Sequence, residues 1–369
     1  MASLRSVELP EILPKLGQVT PFSGEDAKGI SDLFVCALGF EDRCLAFPER
    51  LSASGYRAHL AVYAEYSTNR DDNRINLPAL EEALRTFSSE IKGVATDDED
   101  FVSRLRGIVE QLGGSDSQGH RPRVTLDISV AANRHVLQCM KALLEIDVWL
   151  RILYAEAATY HPTRQEYEGD RERWQSPESL GLERGVLKVE SSKHHPGIHL
   201  DPIPDRILLF PGFKAERTRA VIANVDPSLL TSASDKLIWF VGKPLHEEDA
   251  WRREAMEEIN GIPAAARRYE VSTFDYRESV RALETVYLES VGKYKLTLSP
   301  LGSKLQAVAA ALFCHMHPDV RVMLTSPLEY NASQYSEGRK SLWKIDFGET
   351  PKLRQLLGSV GQLEIEDCS

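Results

Sequence analysis

Two short turns combine a glycine, an aromatic ring and an arginine, a set of residues suited to holding a phosphate. They lie in LFVCALGFEDRC (33–44) and ILLFPGFKAERT (207–218), which are both apolar runs that lead into Gly-Phe. A glycine lets the backbone approach a ligand closely, and an arginine can donate two parallel hydrogen bonds to a phosphate. A single such turn is more typical of a plain strand-to-helix connection, and its recurrence in both halves makes binding an equal alternative. The candidate residues are Gly39, Phe40, Arg43, Gly212, Phe213, Lys214 and Arg217.

A second pair of turns is rich in hydroxyl groups and carries one cation at a predicted helix start. The segment LSPLGSK (298–304) precedes an alanine-rich helical pattern, and LDISVAANR (126–134) is its counterpart. The N-terminus of a helix attracts anions, so a cation there is favoured when an anion binds beside it. Helix capping by the serines and a solvated lysine are the alternative. The candidates are Ser129, Asn133, Arg134, Ser299, Gly302, Ser303 and Lys304.

These paired turns form part of a longer internal repeat. Ser129 and Ser299 are 170 residues apart, and the same offset separates Arg134 from Lys304 and Tyr160 from Tyr330. Three matches in one order at one offset indicate a duplication, in which Tyr330 becomes a candidate for stacking on a base.

The pattern around the turns alternates between short apolar runs and amphipathic segments of ten to sixteen residues, which is typical of parallel strands joined by helices. The predicted fold class is therefore α/β, with two Rossmann-like parallel-sheet domains related by duplication. The predicted boundaries are 1–165 for the first domain, 166–205 for a linker and 206–369 for the second domain.

Composition excludes several classes of protein. The 369 residues, of which 42% are hydrophobic, predict about two globular domains, and the formal net charge of −11 argues against sequence-blind nucleic-acid binding. The five cysteines lack CxxC spacing, which argues against a disulfide framework or a zinc knuckle. No apolar leader or membrane-spanning run is visible, so we expect a cytoplasmic protein with no membrane partner.

Three other groups of residues have simpler interpretations. His315 and His317 follow Cys314 at the end of a helical pattern, and His194, His195 and His199 lie in the join between the halves; neither set has the spacing of a metal site. The acidic runs 97–100 and 247–249 are typical of solvated helix starts. We expect no metal and no cofactor.

The SPLGSK turn and its alanine-rich helix resemble the CARF superfamily (CRISPR-associated Rossmann fold), with GFEDR and GFKAER at the place of that family's other ligand loop. CARF domains pair and bind cyclic oligonucleotides between them, and the related SAVED sensors of bacterial anti-phage systems carry two such units in one chain. Ala132 stands where the family pattern has glycine. The resemblance implies a small nucleotide ligand and, since neither half is followed by an effector domain, a separate effector protein.

Three functions follow from these expectations. The first is a sensor of a cyclic oligonucleotide second messenger in prokaryotic antiviral defence, without catalytic residues. The second is a metal-independent nuclease that cleaves a cyclic oligonucleotide in the same groove, using the ligand's own 2′-hydroxyl, although the sequence offers no dedicated general base. The third is a non-catalytic scaffold of a defence complex.

Overall fold

A computed structural model describes residues 3–96, 100–113, 121–175, 183–198, 202–230, 234–332 and 335–366. Of the residues singled out above, Asp97, Asp98, Glu99, His199 and Cys368 lie outside these ranges.

The strands of the described residues form two large sheets and two short two-stranded ribbons. They are β1 (Ser3–Ser6), β2 (Val19–Pro21), β3 (Ile30–Ala37), β4 (Arg57–Glu65), β5 (Ser88–Ala95), β6 (Arg123–Asp127), β7 (Trp149–Ala155), β8 (Thr159–Tyr160), β9 (Glu183–Ser191), β10 (Asp205–Phe210), β11 (Leu237–Lys243), β12 (Arg268–Ser272), β13 (Lys295–Pro300), β14 (Arg321–Tyr330), β15 (Ser336–Glu337), β16 (Leu342–Glu349) and β17 (Leu363–Glu366).

The α-helices of the same residues alternate with these strands. They are α1 (Leu9–Ile12), α2 (Ala46–Ser52), α3 (Arg70–Arg74), α4 (Leu77–Phe87), α5 (Phe101–Gly113), α6 (Asn133–Leu144), α7 (Arg164–Gly169), α8 (Arg171–Gln175), α9 (Ala215–Val225), α10 (Trp251–Asn260), α11 (Tyr276–Ser290), α12 (Lys304–Met316) and α13 (Thr350–Gly358).

The predicted α/β class with largely parallel sheets is confirmed. The first sheet has the order β2-β16-β7-β6-β3-β4-β5 and the second has the order β12-β11-β10-β13-β14-β9. The five parallel strands of each sheet can be numbered 1 to 5 in the order in which they occur along their half of the chain. In space they then lie in the order 3-2-1-4-5, which in the first sheet is read from β5, and an antiparallel strand lies beside strand 5. The duplication itself stays a prediction. Two copies of one ancestral domain would have the same strand order, as the two halves do.

Each of the two large sheets contains a strand from outside its predicted domain. β9 lies in the predicted linker and forms the antiparallel edge of the second sheet beside β14. β16 comes from the C-terminal segment and is inserted between β2 and β7 of the first sheet. A cut at the predicted boundaries would therefore separate both sheets from one of their strands.

The largest hydrophobic core runs through both halves. Helices α6 and α12, which follow the fourth parallel strand of each half, pack against each other. Their fully buried residues include Val136 and Met140 of α6 with Val308 and Leu312 of α12. Because the carboxyl ends of β6 and β13 lead into these helices, this packing brings the two predicted ligand turns close together.

Candidate functional site

The loops at the carboxyl ends of both sheets line two adjacent cavities, which we treat as two lobes of one groove because they share lining residues. We call them the Phe40 lobe, which contains about 1140 Å³ including space open to solvent, and the Phe213 lobe, which contains about 1450 Å³ on the same basis. The crevice at the strand carboxyl ends is where open α/β sheets bind their ligands. Five residues line both lobes and join them: Arg217, Leu301, Gly302, Lys304 and Tyr335.

The two Gly-Phe turns are held in the same way in both halves. The Asn76 side-chain amide donates a hydrogen bond to the Gly39 carbonyl (2.8 Å), and the Asn260 amide donates to the Gly212 carbonyl (2.8 Å). Asn76 directly precedes α4 and Asn260 ends α10, so each belongs to the helical connection that follows the second parallel strand of its half. Sequence reasoning missed both asparagines because they lie far along the chain from the turns that they hold.

Both turn glycines lie against neighbouring atoms, where a side chain would be crowded. A Cβ on Gly39 would be 3.1 Å from Val130 Cγ2, and a Cβ on Gly212 would be 3.0 Å from the Leu301 carbonyl oxygen. Gly39 and Phe40 line the Phe40 lobe, and Gly212, Phe213 and Lys214 line the other. The predicted turns therefore both lie in the groove, one per lobe.

Arg43 lies in the groove wall, but its guanidinium is engaged within the protein. Its Nε and Nη2 donate to Glu41 Oε2 at 3.0 and 2.8 Å, and Nη1 donates to the Ala155 carbonyl at 3.2 Å. The side chain is 3% exposed; burial alone would lower the pKa of Arg43, but interactions led by the Glu41 carboxylate outweigh this effect and raise it. A phosphate at this position would have to compete with Glu41, and the sequence analysis did not predict this ion pair.

Three aromatic rings cluster in the Phe40 lobe. The Phe40 ring is 5.7 Å from Tyr335 in an edge-to-face arrangement and 6.2 Å from Tyr330. The backbone of Tyr330 is fixed by two hydrogen bonds to the Asn69 side chain, at 2.7 and 2.8 Å, which again joins the two halves. These rings give the lobe an aromatic wall on which a flat ring system could stack.

The Phe213 lobe has its own aromatic and cationic wall. The Arg252 guanidinium lies 4.9 Å from the Phe213 ring centroid and donates to the Pro162 carbonyl at 3.0 Å. The Lys214 Nζ is 3.9 Å from Glu216 Oε2. Tyr160 lines this lobe as well. Each lobe therefore offers one aromatic wall with cations close to it.

The predicted SPLGSK turn forms the junction between the lobes. Ser303 caps α12, accepting from the Gln306 amide (3.2 Å) and donating to the Thr273 carbonyl (2.6 Å). A Cβ on Gly302 would lie 2.1 Å from Gln306 Oε1, so glycine lets the cap close. Lys304 is the first residue of α12 and lines both lobes. A cation beside the positive end of a helix favours an anion between them.

Arg217 reaches the same junction from α9 of the second half. Its Nε donates to Thr325 Oγ1 at 2.7 Å and Nη2 donates to the Thr325 carbonyl at 3.2 Å, which fixes the direction of the guanidinium. Arg217 and Lys304 therefore form a cationic junction that both lobes share.

The first half contributes Asn133 and Arg134, both of which bind the second half. The Asn133 amide donates to the carbonyls of Pro300 and Gly302, at 2.9 and 2.8 Å, and so fixes the SPLGSK turn. Arg134 forms an ion pair with Glu190 of β9 and a 3.2 Å hydrogen bond to Ser326. Both line the Phe40 lobe, and their hydrogen bonds hold the halves together.

Ser129 and Ser299 lie outside both lobes. Ser129 is 1% exposed, donates to Asp127 and accepts from the Ala155 amide (2.8 Å), whereas Ser299 is fully buried and donates to the Met323 carbonyl (3.0 Å). Each serine ties the fourth parallel strand of its half to the fifth. Their recurrence at one offset therefore has a structural explanation, and the hydroxyls do not face the groove.

Burial shifts the titration of two groups near the Phe40 lobe. Desolvation raises the pKa of the Asp127 carboxyl to about 7, against the lowering effect of the hydrogen bonds from Ser129. Desolvation lowers the pKa of the His135 imidazole to about 3, and His135 lines the lobe beside Tyr66 and Phe101. Folded protein therefore keeps Asp127 protonated, and His135 neutral, at pH values where the unfolded chain does not.

The sequence also missed a histidine–carboxylate pair in the Phe213 lobe. His246 follows β11 of the second half, Glu156 follows β7 of the first half, and His246 Nε2 lies 2.6 Å from Glu156 Oε1. The 90 residues that separate the pair left no local spacing signal.

The histidines that the sequence did single out lie elsewhere. His317 pairs with the buried carboxylate of Glu284 at the end of α12, and His195 is buried near Ser192. Within the described ranges, no group of three or more His, Cys, Asp or Glu side chains could hold a metal ion. Nor does any helix in these ranges have the length and apolar character needed to cross a membrane.

No protein-family model matches the chain, and no curated protein matches it. Ten chains of solved structures match, among them the cytoplasmic domain of a prokaryotic cation chloride cotransporter. That match has 11% sequence identity, covers 81% of this chain and 96% of the other, and has a TM-score of 0.22. A TM-score this low carries no argument about fold or function.

Proposed function

We propose that this protein is a cytoplasmic sensor of a nucleotide second messenger, a cyclic oligonucleotide, in prokaryotic antiviral defence, and that it signals to a separate effector protein. The single observation that carries the proposal is the two-lobed groove, in which a cationic junction lies between two aromatic lobes. The assignment to antiviral defence rests on the resemblance of the SPLGSK and Gly-Phe turns to CARF proteins.

The chemistry of the groove matches the parts of a small oligonucleotide. Arg217 and Lys304 supply positive charge at the junction, where the N-terminus of α12 adds the positive end of its dipole. Phe40 in one lobe and Phe213 in the other provide faces on which bases can stack. A ligand with linked phosphates at its centre and one base on each side would fill both lobes at once.

The two halves contribute cations to the groove unequally, which favours an asymmetric ligand or an asymmetric pose. Arg217 and Lys304 of the second half line both lobes, whereas Arg43 lines only the Phe213 lobe and Arg134 only the Phe40 lobe. A ligand with strict two-fold symmetry would therefore meet different cations on its two sides.

A thermal-shift screen with cyclic di-, tri- and tetranucleotides, ATP and NAD tests the proposal. We expect a cyclic oligonucleotide at 100 times its Kd to stabilise the protein by about 2.7 kcal/mol, and we expect no comparable shift with ATP or NAD. Lys304→Ala and Arg217→Ala should each weaken binding by roughly tenfold or more, since a charge-assisted hydrogen bond contributes about 1.5–3 kcal/mol.

Lys293→Ala is the matched control, because Lys293 is exposed after α11 and its removal changes the net charge equally. Equal losses in the control and the two groove variants would contradict a specific anion site. Silence of the wild-type protein across the whole panel would favour the scaffold function instead.

A further inference from the structure

A cavity outside the groove is lined by residues of α9, of β11 and of the end of α10. It contains about 780 Å³, including space open to solvent, and none of the described residues that line it lines either lobe. Four apolar lining residues belong to one buried cluster of the second half, and two polar ones lie beside them. We call it the Asn260 cavity; the six are Ile222, Leu229, Leu237 and Trp239, with Thr218 and Asn260. A concave site with apolar walls and a few polar groups is the usual form of a small-molecule site.

Two buried side-chain oxygens of this cavity have no hydrogen-bond partner among the described residues. They are Thr218 Oγ1 and Asn260 Oδ1, and the two residues are 1% and 7% exposed. A threonine in a helix can bond to a carbonyl one turn earlier, but the Thr218 hydroxyl does not. Because an unpaired buried polar atom destabilises a folded protein, nearly all such atoms have partners. The two oxygens therefore indicate that the cavity takes a partner from outside the chain.

The chemistry of the two oxygens defines what this partner must carry. The Asn260 amide nitrogen donates to the carbonyls of Gly212 and Met256, both at 2.8 Å, so the oxygen is the atom left over. An amide oxygen only accepts, so the partner must donate to it, whereas the Thr218 hydroxyl can donate or accept. Both groups are neutral, and the Trp239 ring lines the same cavity. An uncharged aromatic carboxamide, with its N–H donor and carbonyl acceptor, meets these conditions.

Asn260 connects this cavity to the groove. Its amide holds, through the nitrogen, the Gly212 carbonyl of the Gly-Phe turn that lines the Phe213 lobe. Thr218 directly follows Arg217, which lines both lobes, in α9. A hydrogen bond at Asn260 Oδ1 would restrain and polarise the amide, since hydrogen bonds in a chain strengthen one another. Occupancy of the cavity would therefore hold the Gly-Phe turn more firmly.

We propose that the Asn260 cavity is a second ligand site, for a small uncharged aromatic molecule with a hydrogen-bond donor and acceptor, and that this molecule regulates the groove. The molecule donates to Asn260 Oδ1, accepts from Thr218 Oγ1 and packs its ring beside Trp239. With the Gly212 turn held in place, the groove binds its own ligand more tightly, and the groove ligand in turn tightens binding in the cavity by the same factor. The regulatory role rests on the proposed function, whereas binding in the cavity does not.

Benzamide is the probe, and acetophenone is its matched control, because a methyl group replaces the amide nitrogen with little change in shape. Ligand-observed NMR titration against the full chain measures the Kd of each compound. We expect a Kd of about 1 mM or less for benzamide, as for other fragments of this size. Acetophenone should bind about fivefold or more weakly, since the ketone leaves Asn260 Oδ1 without a donor.

Thr218→Val removes the hydroxyl and keeps the shape of the side chain. The variant should retain wild-type stability, because Thr218 Oγ1 has no partner in the described residues, while its affinity for benzamide falls about threefold or more. Thr285→Val is the matched control, because it removes an exposed hydroxyl of α11 outside the cavity. Ala266→Leu fills the cavity from its wall and should abolish binding. Ala264→Leu, at an exposed position that does not line the cavity, should leave binding unchanged.

Hydrogen exchange measured by mass spectrometry tests the coupling without any groove ligand. Saturating benzamide should slow amide exchange in the peptide that contains residues 212–214 by about twofold or more, and it should have no such effect in Ala266→Leu.

Each alternative result is decisive. Absence of saturable benzamide binding, or equal binding of acetophenone, overturns the site. Binding that leaves exchange at residues 212–214 unchanged overturns the regulatory role. Slowed exchange in a chain that binds no cyclic oligonucleotide overturns the proposed function and leaves the cavity site standing.

Discussion

Asp127 is a fully buried carboxyl at the end of β6, and its pKa of about 7 makes the folded protein bind a proton that the unfolded chain releases near pH 4. Between pH 4 and 7 the folded state therefore binds more protons at this position than the unfolded state. Stability from this group is present in full below about pH 4 and is lost as the pH rises to 7.

The substitution Asp127→Asn removes this titration while keeping a similar shape. We expect the difference in unfolding free energy, wild type minus variant, to fall by about 1.4 kcal/mol per pH unit between pH 4 and 7 and to be flat above pH 8. Urea unfolding across this range measures it. His135 has the opposite pH dependence, since burial lowers its pKa to about 3, but it is present in both proteins and cancels. Parallel stability curves would contradict a protonated Asp127.

At the residue scale, sequence reasoning found the groove more reliably than the contacts within it. Lys304, Arg217 and Gly302 line the junction. They could be singled out from the sequence because a glycine, a cation and a helix start are local features. Ser129 and Ser299 recur at the same offset, yet both serve strand packing, because a repeated fold requires its structural residues as much as its binding residues. The partners that neutralise Arg43 and Arg134 depend on side-chain geometry that spacing does not reveal.

At the scale of elements, β16 connects the C-terminal segment to the first sheet. It pairs with β7 on one side and β2 on the other, and Ile345 in its middle is 1% exposed. The stability of the first sheet should therefore depend on a strand that follows the whole second half.

Ile345→Ala tests this dependence. Truncating a buried isoleucine costs about 2–5 kcal/mol, and we expect amide hydrogen exchange to rise in the neighbouring strand β7. Ile30→Ala is the matched control, because Ile30 is 66% exposed on β3 of the same sheet and should change stability by less than about 0.5 kcal/mol. Equal effects of the two substitutions, or unchanged exchange in β7, would show that β16 does not stabilise this sheet.

The type and length of local elements were predictable, whereas their partners were not. Helices α4 (11 residues) and α10 (10 residues) have the lengths predicted for the amphipathic segments, because hydrophobic periodicity is a local property. The C-terminal segment adds β16 inside the first sheet, about 190 residues along the chain from its partner β7. Pairing across such a separation leaves no pattern in one sequence.

At the scale of the whole molecule, the two halves have the same strand order and share one groove. Packing of α6 on α12 brings the strand ends together, and the bonds from Asn133 to Pro300 and Gly302 fix the contact at the groove itself. Residues of both halves line each lobe, so neither half alone would form either lobe or the junction between them.

Isothermal titration of the full chain with the cyclic oligonucleotide that stabilises it most tests this shared groove directly. We predict one ligand per chain, with Phe40→Ala and Phe213→Ala each weakening binding by about 1–3 kcal/mol, the contribution of one stacked base. Two ligands per chain, or binding that depends on only one of the two phenylalanines, would contradict a single groove shared by both halves.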